Sequence, residues 1–274
     1  MPLPILESST APTPENLVRL FHRTELHWTR HIAEEETLDA GTAFTNPELD
    51  GVNDANRMLD AALPPGVSPA GAVAEVEAHF ASRGVRCSMW SMNPSAKPEA
   101  TAPLVEYLLS RGYRAVVDEI MHLPSQSVGA AAVAPRELPG LTIIPARASY
   151  RHMRELAEAR GRHWNSTQLA DSIMLHLDDP HYDALLALHG GAAVACTGVL
   201  AVGDFGAIEE VFVLDSHRGR GIGRVMMARA LEICARSLFK HVLLYVDPSN
   251  EPATKLYRGC GFKTIGTYTT YHAP

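Results

Sequence analysis

Residues 211–238 read VFVLDSHRGRGIGRVMMARALEICARSL. A β-branched run enters a loop holding Arg218, Gly219, Arg220, Gly221 and Gly223, and a helical segment follows with Arg224, Arg229, Glu232 and Arg236 on its polar side. Three glycines in five positions let the main chain approach a ligand closely, and consecutive N–H groups at a helix start form a concave anion site. Such a loop favours phosphate. A dinucleotide fingerprint needs glycine at its first, third and sixth positions, but the sixth is Arg224 counted from Gly219 and Met226 counted from Gly221. No GxxxxGK[ST] occurs either. A tight turn with glycine caps is the plain alternative, and it leaves two arginines inside the loop unexplained.

The stretch HRGRGIGR resembles the pyrophosphate-binding loop of the GNAT superfamily of N-acetyltransferases. That pattern, Gln or Arg, two residues, Gly, any residue, then Gly or Ala, is met by Arg218, Gly221 and Gly223. Twenty-seven residues past Gly223, NEPATKLYRGCGF is similar to the family's second signature, with Asn250, Ala253, Tyr257, Gly261 and Phe262 in the expected places. The resemblance implies a mixed α/β (α+β) GNAT-like fold, a mostly antiparallel central sheet flanked by helices, and acetyl-CoA as cosubstrate. It implies that the main chain of Val211, Phe212 and Val213 pairs with the pantetheine arm. Arg218, Gly219, Arg220, Gly221, Ile222, Gly223 and Arg224 would hold the pyrophosphate, Asn250 would contact the cofactor, and Tyr257 would protonate the departing thiolate. An ordinary half-buried tyrosine is the plain reading of Tyr257.

The base is less direct. Some family members carry a glutamate five residues before the signature asparagine, where this chain has Tyr245, a poor proton acceptor near neutral pH. Glu209 and Glu210 lie on the strand entering the loop, and strand alternation sends them to opposite faces. IEEVFVLDSHRGRGIG is similar to the corresponding stretch of polyamine acetyltransferases, in which the first of two acids serves the amine, and this favours Glu209. A solvated strand-end carboxylate is the alternative for each, and deprotonation by water stays open.

Outward from this segment, residues 15–32 predict an amphipathic helix with Leu17, Leu20, Phe21, Leu26 and Trp28 on one face. Residues 70–84 predict a helix ending at Gly84, followed by a strand in VRCSMWSMNP and a helix in PLVEYLLSRGY. The stretch 124–140, PSQSVGAAAVAPRELPG, has the small, proline-bearing composition of a linker. Beyond it come a strand at 141–146, helices at 148–161 and 166–177, and strands around Gly190-Gly191 and in AIEEVFVLD. SMNPS (91–95) before a helix and Gly112-Tyr113 echoes YVDPS (245–249) before a helix and Gly261-Phe262. The expected organisation is therefore a degenerate GNAT-like domain at 1–125, a linker at 126–140 and an acetyltransferase domain at 141–274. In the first half PPGVSPAGAVAEV has glycines but no cationic partner for a phosphate.

Composition narrows the classes. With 46% apolar and 20% charged residues the chain is an ordinary globular protein, and a net charge of -7 argues against nucleic acid as a partner. Cys87, Cys196, Cys234 and Cys260 form no CxxC pair, so neither a disulfide scaffold nor a zinc knuckle is expected. The start has no basic segment leading into an apolar run, and no apolar stretch is long enough to span a bilayer, so a cytoplasmic, unanchored protein is expected. His27 and His31, four apart, offer two metal ligands without an evident third, and no metal is expected. Asp215, Ser216 and His217 are adjacent and cannot form a hydrolase relay. The expected activity is acetyl transfer to a primary amine of a small, cationic molecule rather than a protein. A non-catalytic acyl-CoA-binding sensor module is the second reading.

Overall fold

Thr13 starts the first helix, its hydroxyl accepting the Asn16 amide at 3.3 Å with Pro14 in the first turn, and α1 runs Pro14–Ile32. The computed structural model describes residues 12–132 and 138–274. The chain continues as β1 (Glu34–Leu38), β2 (Gly41–Thr45), β3 (Arg57–Ala61), α2 (Pro69–Ser82), β4 (Met89–Met92), α3 (Pro98–Ser110), β5 (Arg114–Pro124) and α4 (Ser125–Ala131). The second half comprises β6 (Leu141–Pro145), α5 (Tyr150–His163), α6 (Leu169–His176), β7 (Tyr182–His189), β8 (Ala192–Val202), β9 (Phe205–Val213), α7 (Ile222–Arg236), β10 (His241–Val246), α8 (Glu251–Gly259) and β11 (Lys263–His272).

All strands join one sheet in the order β1-β2-β3-β4-β11-β5-β10-β9-β8-β7-β6. The order records an exchange. β5, from the first half, pairs antiparallel with β10 from His241↔Pro124 to Val246↔Glu119, while β11, from the second half, pairs antiparallel with β4 through Tyr271↔Trp90. The two exchanged strands also pair with each other from Lys263↔His122 to His272↔Arg114. Each half thus completes the other's sheet. The α2/α3 side of the first half encloses Val73, Phe80, Trp90, Leu104 and Leu108, and the α7/α8 side of the second encloses Met227, Leu231, Val242, Leu244 and Phe262. Fully burying such side chains contributes roughly 1.5–3 kcal/mol each.

The reading from sequence assigns no element to 114–123 or 263–272, the two strands that make the exchange. The stretch expected as a linker also differs: Ser125–Ala131 is helical, and Val128 sits in the core that α7 forms with β10. Small residues suit a helix that must lie close against another, so composition alone does not separate such a segment from a loose connection. The remainder of the expected linker includes 133–137, which lie outside the described residues, as does the start of the chain through residue 11.

The halves share their local geometry. β3-β4 and β10-β9 are parallel, and each is flanked by an exchanged antiparallel strand. Asp60 on β3 and Glu210 on β9 both take a left-handed conformation, φ +55 and +59, at a bulge. A helix side chain meets each carboxylate, His22 with Asp60 at 2.8 Å and Arg160 with Glu210. α3 and α8 close identically: the Tyr113 amide donates to the Leu108 carbonyl and the Phe262 amide to the Tyr257 carbonyl, each at 3.1 Å, past Gly112 (φ +88) and Gly261 (φ +92).

The exchange predicts mutual dependence. Fragments 1–132 and 138–274, produced separately, each expose an unpaired central strand and should show no cooperative thermal unfolding by circular dichroism; mixing them should restore it. Independent cooperative melting of either fragment would contradict this.

Candidate active site

β9 and β10 are hydrogen-bonded only from His241↔Phe205 to Leu243↔Ala207. Beyond that point β9 follows β8 and β10 follows β5, so a slot opens between Ile208–Val213 and Leu244–Val246. The main-chain edge of Val211, Phe212 and Val213 lies along it. In the first half the matching pair stays closed: β3 and β4 are still in register at Ala61↔Met92, and the Asn93 amide donates to the Ala61 carbonyl at 3.0 Å.

The loop between β9 and α7 ends at one mouth of the slot. Gly219 (φ +75) and Gly221 (φ +82) are left-handed, conformations that a side chain would strain by about 1–2 kcal/mol. Gly221 is the N-cap of α7 and supplies no side-chain cap. Among the described residues, the amides of Gly219, Arg220, Gly221, Ile222 and Gly223 donate to no protein acceptor. An uncapped helix start with its N–H groups free is a ready anion site. Gly223 matters differently, since a Cβ there would stand 3.4 Å from Leu256 of α8 and 3.8 Å from Val213. The arginines serve partly as braces: Arg218 donates from Nε to the Val213 carbonyl at 3.1 Å and pairs with Asp215 at 2.8 Å, and Arg220 donates to the Ser216 carbonyl at 2.9 Å. The corresponding helix of the first half is closed to anions, because the Ser68 hydroxyl accepts the Gly71 amide at 3.1 Å and Pro69 removes another donor.

Asn250 caps α8, its side-chain oxygen accepting the Ala253 amide at 3.3 Å. About two turns later Tyr257 is buried beside Phe262, ring centroids 6.4 Å apart. Burial raises its phenol above the ordinary tyrosine range, and the nearby Glu209 carboxylate adds to the effect. The phenol is thus kept in its protonated form. Leu108 stands at its counterpart in the first half.

Glu209 is 7% exposed; its carbonyl accepts from the Thr197 hydroxyl at 3.4 Å, and among the described residues its carboxyl has no hydrogen-bond or ion-pair partner. Burial drives its carboxyl well above the usual range, and Glu25 and Asp54 push the same way against Arg160. The expectation that Glu209 and Glu210 lie on opposite faces is corrected. At the bulge Gly198 pairs with Glu209 and Cys196 with Phe212, so two residues of β9 oppose Thr197 alone. Glu210 therefore turns to the same face as Glu209 and pairs with Arg160, whose guanidinium also lies 5.7 Å from the Phe212 ring. In the first half Leu59 precedes the bulged Asp60 where Glu209 precedes Glu210.

Residues without any sequence signal complete this face. Glu25 of α1, 4% exposed, accepts from Arg57 at 3.2 Å; Arg57, 1% exposed, also donates to Asp54 at 3.1 Å and to the Tyr268 hydroxyl. Asp118 on β5 sits opposite Tyr268, and burial together with Asp247 and Glu25 pushes it up to about 6. Tyr245 packs edge-on to Phe21 at 5.5 Å, and burial raises its hydroxyl well above the ordinary range. The α1 face of the slot is therefore acidic, and the α7 face offers free N–H groups.

Comparison with known proteins agrees with this geometry. The Acetyltransferase (GNAT) family model matches residues 149–262. Streptothricin acetyltransferase of Streptomyces lavendulae is 41% identical over 59 residues, 22% of this chain and 31% of that one. The aligned stretches take in 19% to 64% of the length of curated relatives of this kind. A GCN5-related N-acetyltransferase from Kribbella flavida shares the fold over 93% of this chain and 95% of its own, with TM-score 0.66 and 19% identity. A tandem GNAT protein from the clavulanic acid biosynthesis pathway matches 74% of this chain and 69% of its own, with TM-score 0.53 and 16% identity. No helix among the described residues is long and apolar enough to cross a membrane. Residues 149–262 thus carry a GNAT acetyltransferase domain, and the whole has the mixed α/β architecture seen in a tandem GNAT protein.

Proposed function

We propose that this chain is an N-acyltransferase that moves an acetyl group from acetyl-CoA to a primary amine of a small cationic molecule. The observation that carries the reading is the slot where β9 leaves β10, with the free amides of 219–223 on one face and the unpartnered Glu209 carboxyl on the other. A thioester entering from the α7 face would meet an amine arriving from the α1 face. The amides of Gly219–Gly223 would hold the diphosphate, with Arg218, Arg220 and Arg224 adding positive charge. The open edge at Val211, Phe212 and Val213 would pair with the pantetheine arm, and Asn250 would present its remaining amide donors to it.

In the chemical step the amine nitrogen attacks the thioester carbonyl carbon, the tetrahedral adduct collapses with loss of the C–S bond, and the thiolate takes the Tyr257 proton. Glu209 would receive the proton shed by the amine. An incoming ammonium lowers the pKa of a buried carboxyl beside it, so a cationic substrate itself prepares Glu209 to be charged. On the same face Glu25 and Asp54 share Arg57, while Asp118 adds a further carboxyl, a set that a positive acceptor would draw into its charged form. The first half, 1–125, would then serve as a shaping unit joined through 126–140 to the catalytic unit at 141–274. Reduced cysteines fit a cytoplasmic setting, Cys87, Cys196, Cys234 and Cys260 all being free. The second reading, an acyl-CoA-binding module without turnover, is favoured by one observation: Tyr245 stands where some relatives place a glutamate.

Free thiol released from acetyl-CoA across a panel of mono-, di- and polyamines tests the activity. Tyr257→Phe should lower kcat about 100-fold or more with coenzyme A affinity unchanged; retained binding with no turnover of the wild type on any amine would establish the module instead. Gly221→Val meets no neighbour within 4 Å, so strain at φ +82 is its main effect, and calorimetry should find coenzyme A bound at least about tenfold more weakly. A base with a raised pKa is active only when deprotonated. The wild-type kcat/KM should therefore rise with pH through a midpoint above the ordinary carboxylate range, and Glu209→Gln should remove that limb. An unchanged limb would exclude Glu209 as the base.

A further inference from the structure

α1 crosses from the first half onto the turn that precedes β7, and three side chains converge there. His27 Nε2 lies 3.0 Å from Asp179 Oδ2, and His181 Nδ1 lies 3.2 Å from Asp179 Oδ1. One donor atom from each of the three falls within 4.8 Å of the others. Asp179 is buried, His27 is partly buried and His181 is exposed. The sequence pairs His27 with His31 and suggests no third ligand. The fold separates that pair: His31 engages the Leu175 carbonyl at 3.1 Å, and the partners of His27 come from the other half of the chain.

We propose that His27, Asp179 and His181 form a binding site for a divalent transition-metal ion, with zinc as its first occupant, that ties α1 to the second half. Two imidazoles and one carboxylate are a donor set that such ions accept. Donor atoms about 2.0–2.1 Å from a common ion stand at most about 4.2 Å apart, and the two Asp179 contacts, made through different oxygens, lie within that reach. The turn is held before any ion arrives. Arg147 donates to the carbonyls of Leu177 and Asp179, and the His181 amide donates to Asp179 Oδ1 at 2.8 Å. The exposure of His181 leaves the remaining coordination positions to water and provides an entry path.

A further unpartnered imidazole lies near in the chain. His176, 2% exposed, stacks on Trp28 at 3.4 Å and, among the described residues, neither of its ring nitrogens has a partner. A buried imidazole with two orphan nitrogens, three residues before Asp179, marks a polar centre whose own complement is incomplete. A histidine–aspartate–histidine hydrogen-bond relay is the competing arrangement, and it would bind no ion with stoichiometry.

The test uses the full-length protein, treated with a chelator and then titrated with zinc by calorimetry, with cobalt substituted for an absorption spectrum of the occupied site. One equivalent is expected, and cobalt should give the ligand-field bands of a mixed imidazole and carboxylate set. His181→Ala, at an exposed position that leaves the core intact, should lower affinity at least about tenfold, as should Asp179→Asn, whereas His152→Ala should have no effect. Melting of the metal-free His181→Ala protein at the wild-type temperature would show that packing is preserved. The proposal is overturned if the wild type shows no saturable binding, or if His181→Ala binds zinc as tightly as the wild type. The latter result would identify adventitious surface histidines.

Discussion

The site depends on a pairing that stops. β9 and β10 hold each other over three residue pairs, and each then keeps its other neighbour, β8 for one and β5 for the other. Two strands cannot stay parallel while their outer partners draw them apart, so the sheet opens without leaving either strand wholly unpaired. The bulge at Glu210 sharpens the divergence, and Arg160 fixes the bulge by pairing with its carboxylate and lying against Phe212. A slot made this way passes through the sheet. One face can then carry a phosphate cradle and the other a set of carboxyl groups, kept apart by the layer that joins them.

The first half holds that arrangement in place. β5 pairs along the whole of β10, so the strand that forms one wall of the slot takes its straight course from a neighbour belonging to the other half. α1 then covers the opposite face, bringing Glu25 to the buried Arg57 and Phe21 to Tyr245 and Tyr268. Arg57 is met by Glu25, Asp54 and the Tyr268 hydroxyl, while its Nε has no partner among the described residues, and Tyr268 sits on the exchanged β11. Removing one member of a buried pair of this kind destabilises by about 3–5 kcal/mol, because the remaining charge has no water to turn to. The polar contacts between the halves are therefore part of the fold as well as of the site.

Within a shared scaffold the two halves have parted chemically, and each difference has a local cause. The first half keeps the bulge with its left-handed carboxyl residue, a helix side chain, His22, opposite it and the closing turn of α3. It lacks the open slot because β3 and β4 remain paired, lacks the anion cradle because Ser68 and Pro69 consume the helix start, and carries Leu59 and Leu108 where the second half has Glu209 and Tyr257. Apolar side chains at those two places give it a dry core in exchange for reactive groups.

The anion loop, the second signature and the approximate run of helices were legible in the sequence, because glycines that need positive φ, residues near the starts and ends of helices and apolar periodicity are local demands. Val211–Val213, Arg218–Arg224, Asn250 and Tyr257 were named through the resemblance of two stretches to family signatures. Three things depended on the fold. The exchange of β5 and β11 is a matter of which strand finds which edge, a long-range choice that alternation does not encode. The bulge that brings Glu209 and Glu210 to one face overrides a strict two-residue period, and nothing in the letters marks it. Glu25, Arg57, Asp118, Arg160 and the partners of His27 meet only after chain segments far apart in sequence are packed together. The sequence by itself determined the main-chain cradle, whose donors belong to consecutive residues; the acidic face opposite it was decided by tertiary structure, because its members come from both halves and interact only across a closed interface.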